Sequence, residues 1–331
     1  MNLRRKLISK FRVKLLVPIL LAYQNVLLAY QNVQSYRQDN HLIYYFCRHR
    51  GTIIRWLFKY SAEERGHIIV LPYAPIRRRL QAGTVIFSDI ERLTPNLKPI
   101  AEKIYMEAEK AKCNILNHPN KSLKRYSLQK ALNNDFSVYK SDEDANLRFP
   151  VFLKEENEHK GSATRLLYSK HELADALLRH PGYLILEYLD TSDELGIFRK
   201  YSSFYIDGLV IPRHILFSKN WEVKNPDIIN PETVAEELVY IKENPYKQDI
   251  MEIFNKANIQ YGRIDYSFYQ GRMQVWEINT NPMLRTAETT SSKMRKVVHE
   301  MSAKLINEAF SQLNAASSCK PYKMGGLDYN N

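Results

Sequence analysis

The sequence predicts an α/β chain in which a small parallel layer precedes antiparallel hairpins. Three observations predict it. Short apolar runs alternate with one helical stretch between residues 67 and 116, the pattern of a parallel α/β layer. Asp207-Gly208 stands between two strand-like runs, the strongest short-range hairpin signal. Residues 262–282 form a second hairpin pattern, with acidic and amide side chains along one face. The chain of 331 residues, 44% hydrophobic and 25% charged, is long enough for two or three domains with proper cores.

The first 65 residues are set apart by charge. They hold 12 Lys/Arg against 3 Asp/Glu, which is +9 of the formal +12. The nearly neutral remainder argues against a nucleic-acid channel through the main body. Residues 1–14 hold six basic residues and no acid, and Leu15 to Tyr23 is apolar, as in a signal peptide. No small-x-small cleavage site follows. Gln24, Asn25, Gln31 and Asn32 interrupt any apolar run long enough to span a bilayer. Leu20–Val26 and Leu27–Val33 repeat one heptad, Leu-Leu-Ala-Tyr-Gln-Asn-Val, which lengthens a helix without rotating its faces. A basic amphipathic helix over residues 1–34 suits peripheral contact with an anionic membrane, and packing on the protein's own body is the alternative. Cys47, Cys113 and Cys319 make no metal spacing. So sparse a set suits a reducing compartment, the cytoplasm, with any membrane contact at the inner face.

Each element follows in order. His41–Tyr60 is aromatic and basic and reads as helix. Ile68–Pro72 and Thr84–Asp89 read as short buried strands, Leu97–Ala111 as helix, and Cys113–Leu116 as a third strand. A helix begins within Lys121–Leu132. Phe149–Lys154 is an apolar strand, with Pro150 tolerated at its start, ending in one lysine. A lysine at a buried strand's exit is a point charge that can face a cleft, or simply reach solvent. Ser169-Lys170-His171-Glu172 is a capping box opening a helix to about Arg179. Tyr183–Tyr188 is a strand running into Leu189-Asp190. With a two-residue turn at Asp207-Gly208, Arg213 pairs with Ser202 and Arg199 with Leu216. Pro231–Tyr240, Tyr246–Asn258 and Ser292–Ala315 read as helices. The expected division is a basic helical segment 1–65, a small α/β domain 66–120, a larger domain 121–315 and a flexible tail 316–331.

The hairpin at 262–282 carries the chemistry. Side chains repeat every two residues along a strand, so Glu277 and Asn279 point the same way. A three-residue turn, Gln270–Arg272, or an equivalent bulge sets Asp265 opposite Glu277. A two-residue turn pairs Asp265 with Trp276 instead. In the first register two carboxylates and an amide oxygen converge, which is unfavourable unless a cation sits among them. Few hard oxygen donors suit Mg²⁺, or Mn²⁺, shared with substrate phosphates. The plain alternative is a solvated acidic face. Like charges so placed also predict that Asp265→Asn stabilises the metal-free protein.

Gly-Arg-Ile-Asp at 262–265, a dozen residues, then Glu-Ile-Asn-Thr-Asn-Pro at 277–282 resembles the metal-binding end of ATP-grasp enzymes, which include carboxylate–amine ligases such as D-alanine–D-alanine ligase. The resemblance extends over about Lys121–Ala315. It implies an ATP-grasp fold, two antiparallel-sheet subdomains clamping ATP after a small parallel α/β domain. It implies Asp265, Glu277 and Asn279 as Mg²⁺ ligands, with Arg263 and Lys224 acting at the reacting phosphates. Nucleotide contacts fall to Arg125 and Lys154, to Gly161 and Ser162 in a phosphate-covering loop, and to Glu187 at the adenine amino group. The backbone at Tyr188 and Leu189 completes the adenine contact, and Glu194 or Asp190 binds the ribose. Two departures stand out: Arg125 where a lysine is usual, and a loop, Glu155–Thr164, with one glycine and three glutamates.

The activity so implied is ATP-dependent activation of a carboxylate as an acyl phosphate, attacked by an amine. The substrates are a small-molecule or peptide acid and an amine, and no nucleic acid is expected. Two other classes fit the same residues: an ATP-grasp kinase acting on a hydroxyl, and a non-catalytic ATP-binding module docked at a membrane through its N-terminus. His118, His159 and His214 read equally as ordinary histidines and as acid–base groups.

Overall fold

Leu42-Ile-Tyr-Tyr-Phe46 is buried at every position and forms strand β1 (Leu42–Phe46), where the sequence reading expects helix. The reason is its place. β1 lies between β2 (His67–Leu71) and β3 (Gly83–Phe87) in a parallel sheet ordered β2-β1-β3-β4, with β4 (Asn114–Leu116) at the edge. A central parallel strand is covered on both faces, which favours an unbroken β-branched and aromatic run over an amphipathic one. The parallel layer therefore draws a strand from ahead of residue 66. The short α1 (Ala62–Arg65) precedes β2, and α2 (Lys98–Lys110) connects β3 to β4. The computed structural model describes residues 42–49, 53, 56, 57, 59–75, 80–143, 146–157, 164–284, 290 and 292–316. The repeated heptad, the basic stretch 1–34 and Cys319 lie outside them. The described residues all fall within one compact unit, Leu42–Asn331. No helix among them is long and apolar enough to cross a membrane.

A second, antiparallel sheet is ordered β5-β7-β6, from β5 (Val138–Tyr139), β6 (Val151–Lys154) and β7 (Leu184–Glu187). In sequence, α3 (Arg125–Ala131) precedes it and α4 (Lys170–Arg179) lies between β6 and β7. Ser169 caps α4, its Oγ accepting from the Glu172 N–H at 3.2 Å. Glu172 reaches back to the N–H of Tyr168, one residue earlier than a capping box predicts. Val151, Leu153 and Ile185 pack on Leu173 and Ala176 of α4.

The third sheet is ordered β11-β10-β8-β9 and is wholly antiparallel. It comprises β8 (Phe198–Ile206), β9 (Leu209–Ser218), β10 (Tyr261–Tyr269) and β11 (Arg272–Asn279). The helices α5 (Pro231–Glu243) and α6 (Lys247–Ala257) lie between its two hairpins in sequence. One face packs on α6, where Ile250, Phe254 and Ala257 meet Ile264, Tyr266, Val275 and Ile278. The other runs into a core shared with the parallel sheet and α7 (Lys296–Ala316), joining Phe204, Ile206 and Tyr261 to Ile43, Tyr45, Trp56 and Phe310. Each large apolar side chain buried there is worth about 2–3 kcal/mol.

Both hairpins have two-residue turns with positive φ at each position: Asp207 (45°) and Gly208 (91°), Gln270 (48°) and Gly271 (77°). These values are the type I′ geometry that matches strand twist. Each hairpin then carries a bulge. In β9, Ser203 pairs with Pro212 but Ser202 pairs with His214, so Arg213 is the extra residue. The expected Arg213–Ser202 pairing is therefore one residue out, as is Arg199, which faces Phe217. Pro212 has no N–H for the ladder, and a bulge beside it accommodates that. In β11, Tyr266 pairs with Val275 but Asp265 pairs with Glu277, so Trp276 is extra. The turn has two residues, yet Asp265 and Glu277 still face each other.

Candidate functional site

The two bulges leave one ladder row intact across the third sheet: His214, Ser202, Asp265 and Glu277 are successive partners. Bulges re-aim side chains, and the one at Trp276 turns two consecutive residues to the open side. Trp276 and Glu277 line the same cleft, as does His214, while its neighbour Arg213 is buried and donates to His299 Nδ1 at 2.9 Å. Asn279 pairs with Arg263 in the same sheet and lines the cleft with it.

Within the row, Asp265 accepts from Ser202 Oγ at 2.7 Å and from Arg263 Nε and Nη2 at 2.8 and 2.9 Å. Glu277 accepts from Arg125 Nη2, whose Nη1 donates to the backbone carbonyls of Glu155 and Glu156. Lys154 Nζ comes from the second sheet to 3.9 Å of Glu277. Asn279 Oδ1 accepts from the N–H of Asn281 at 2.8 Å. Burial works against charge on Arg263, and the Asp265 carboxylate, with Glu277 behind it, outweighs that and holds the guanidinium above its ordinary pKa. Lys154 is pushed down by burial and by Arg125 and Lys200, against the pull of Glu277 and Asp265. The expected gain from Asp265→Asn by relief of repulsion does not match this arrangement: each carboxylate already holds a guanidinium.

The cleft has two connected compartments sharing Lys154, Lys200, Glu222, Asp265 and Glu277. One is an apolar slot between Phe152 and Leu186 of the second sheet, Tyr188 and Leu189 beyond it, and Trp221 and Trp276. Trp276 stacks on Phe136 with centroids 4.9 Å apart, and its Nε1 donates to Ser267 Oγ at 2.9 Å. The other is polar and holds Lys224, Arg263, Asn279, His214, Arg295 and His299 on its walls. Lys224 Nζ lies 3.4 Å from Glu222.

The cleft thus gathers Lys154, Lys224, Arg263, Asp265, Glu277 and Asn279, with Arg125 buried behind Glu277 and with Tyr188 and Leu189 on the slot. Three expected residues are placed otherwise. Glu187 is buried with its carboxylate away from the slot, accepting from the N–H of Ser137 and Arg148 and from the Arg148 guanidinium at 2.6–3.1 Å. Strand alternation explains it: Leu186 faces the slot, so Glu187 cannot. Asp190 caps Ser192 at 2.7 and 3.0 Å, and Glu194 is exposed in the turn after it, whereas Thr191 lines the slot. Gly161, Ser162 and His159 lie outside the described residues, as do Arg285 and Thr286. Sequence reasoning missed Lys200, Ser202 and the tryptophans. Lys200 is two residues from Ser202 on the same strand face, but which strand lies beside β10 is a tertiary fact.

Two antiparallel sheets face each other across this cleft, with a parallel sheet ahead of them in sequence. One parallel and two antiparallel sheets are the mixed α/β arrangement the sequence predicts. Among solved structures, a D-alanine–D-alanine ligase from Bacillus anthracis complexed with ATP is 14% identical, the match covering 83% of this chain and 99% of that one at a TM-score of 0.46. An L-amino acid ligase from Bacillus licheniformis is 14% identical over 82% and 74%, at 0.44. A RimK-domain ATP-grasp protein from Sphaerobacter thermophilus is 12% identical over 81% and 99%, at 0.47. No protein-family model and no curated protein matches the chain.

The donor set fits the groups the resemblance implies. Two facing carboxylates and an amide oxygen suit a hard divalent cation, and both carboxylates already bind cationic guanidiniums. Aromatic walls suit a flat base, and the lysines between base slot and carboxylates suit phosphates.

Proposed function

We propose that the chain is an ATP- and Mg²⁺-dependent ligase that activates a carboxylate as an acyl phosphate for attack by an amine. The observation that carries the reading is the bulge at Trp276, which sets Asp265 opposite Glu277 where the apolar slot meets the basic compartment. Asp265, Glu277 and Asn279 would hold Mg²⁺, or Mn²⁺, which neutralises phosphate charge when bound. Phe152, Leu186, Trp221 and Trp276 enclose the base, while the backbone at Tyr188 and Leu189 meets its edge. Lys154, Lys200 and Arg125 neutralise the phosphates from the nucleotide side. Lys224 and Arg263 face the polar compartment, where they hold the acid in line and stabilise charge on the transferring group. The solved ligases act, by their names, on D-alanine and on L-amino acids, which supports an amino-acid or peptide acid here.

We further assign nucleotide handling to residues 121–315 and membrane association, in the cytoplasm, to residues 1–34. Deleting 1–34 is expected to leave Mg-ATP binding intact while removing any binding to anionic vesicles. The deciding experiment supplies pools of acids and amines and follows ADP, with mass spectrometry of the product. ADP and phosphate released only with both pools support the ligase. ADP released with an alcohol, yielding a phosphorylated product, identifies a kinase. Tight Mg-ATP binding without turnover in any pool identifies a binding module.

A further inference from the structure

The carboxylates on the polar compartment's wall, Asp265, Glu277 and Glu222, all sit at the end it shares with the base slot. Beyond that end every ionisable residue among the described lining is basic or histidine. Lys224 and Arg263 stand nearest the carboxylates. His214 of β9, Arg295 just ahead of α7 and His299 in the first turn of α7 share this wall, with Arg92 from the 3-10 turn after β3 and His49 from the segment after β1. A concave surface lined by one sign of charge focuses potential on whatever enters it.

His214 lies among these basic groups. Burial, then Arg213, Arg263, Arg295 and His299, hold it well below the ordinary histidine range. Arg295 is anchored from behind by Glu237, through bonds of 2.6 and 2.8 Å, which fixes its position while it keeps a place on the compartment wall. Arg263 and Lys224 are the groups the ligase reading assigns to the reacting carboxylate. The His214, Arg295 and His299 group comes from β9 and from the start of α7, and that reading gives it no role.

We propose that this group is an anion subsite for a second carboxylate of the substrate, so that the acid activated is dicarboxylic. The proposal rests on the ligase reading and deepens it by naming the substrate class. The Arg295 guanidinium matches a carboxylate in charge and geometry, and the neutral imidazoles can add N–H donors.

The test is calorimetric titration of the Mg-ADP-saturated protein with glutarate and with pentanoate, which has the same chain length and one carboxylate fewer. Glutarate is expected to bind at least about tenfold tighter, the size of one charge-assisted hydrogen-bond pair. Arg295→Lys, which keeps Glu237 paired, and His214→Gln are each expected to remove most of that difference and leave pentanoate within about twofold. Melting curves confirm that both variants fold, and His299→Gln, whose amide can accept from Arg213, serves where one does not. Equal binding of the two acids by the parent, or equal weakening of both by the variants, overturns the subsite. Failure of the parent to bind Mg-ADP at all overturns the ligase reading itself.

Discussion

Replacing Asp265 with asparagine separates the two accounts of the facing carboxylates. If Asp265 and Glu277 chiefly repel, the variant is more stable than the parent. The structure predicts the opposite. Asp265 holds Arg263 through two bonds at 2.8 and 2.9 Å, is only 6% exposed at its side chain, and takes a third bond from Ser202. Glu277 is already neutralised by Arg125, with Lys154 at 3.9 Å. Two unit charges about 4 Å apart at an effective dielectric near 20 attract by about 4 kcal/mol, and partly screened repulsion from Glu277 cancels only some of that. An amide keeps one acceptor for Arg263, so the net loss is about 1–3 kcal/mol. For a domain of this size that lowers the melting temperature by roughly 2–10 °C. Thermal scans with and without Mg-ATP supply the assay. Mg-ATP at about a hundred times its Kd adds about 2.7 kcal/mol to the parent, and the variant is expected to show no gain over ATP without Mg²⁺. A variant as stable as the parent with the full Mg-ATP gain refutes both the ion-pair argument and the metal assignment. A variant more stable than the parent restores the repulsion account.

Lys154→Ala is expected to weaken ATP binding by about tenfold to a hundredfold, the value of a charge-assisted phosphate contact, measured by calorimetry. Glu187→Gln is expected to lower stability by about 1–3 kcal/mol and leave the preference for ATP over GTP unchanged, since its carboxylate serves Arg148 and Ser137. Burial alone would raise the Glu187 pKa, but Arg148 and the backbone N–H groups outweigh it and lower it. Its stabilisation is therefore present above the ordinary carboxylate pKa and lost as pH falls through the depressed one. Acid melts of parent and Glu187→Gln should converge there. Gly271→Ala strains a turn position with φ of 77° and open space around it, costing about 1 kcal/mol without touching Mg-ATP binding. Deleting Trp276 should instead abolish Mg²⁺-dependent ATP binding in a protein that still folds, as circular dichroism and calorimetry together would report.

Much of this was legible because local rules act locally. Asp207-Gly208 and the alternation after Gly262 specify both hairpins, and the apolar run before Lys154 specifies its strand. The facing of Asp265 and Glu277 was legible only as a choice between registers. The turn took two residues, and the bulge that rescued the pairing depends on what Trp276 packs against, Phe136 from the segment ahead of β5. Leu42–Phe46 misled because helix and buried strand look alike over five apolar residues, and only its neighbours β2 and β3 decide. Glu187 was assigned to the nucleotide by resemblance, although alternation with Leu186 already put it on the other face. Arg148, its partner, lies 39 residues away and gave no local signal.

The two bulges lie on opposite sides of the His214–Ser202–Asp265–Glu277 row, each between that row and its own hairpin's tip. The information for closing a hairpin is therefore stored apart from the information for aligning the site. Either tip can be exchanged for another two-residue turn, and each bulge will still deliver its strand to the row in phase. Single-residue insertions or deletions behave differently on the two sides of a bulge: beyond the tip they vanish into a loop, while between bulge and row they turn a ligand away. A chain built so can drift at its hairpin ends while the row stays fixed. The row itself, one residue from each of four strands, becomes the place where a single substitution changes which ion or acid the sheet presents.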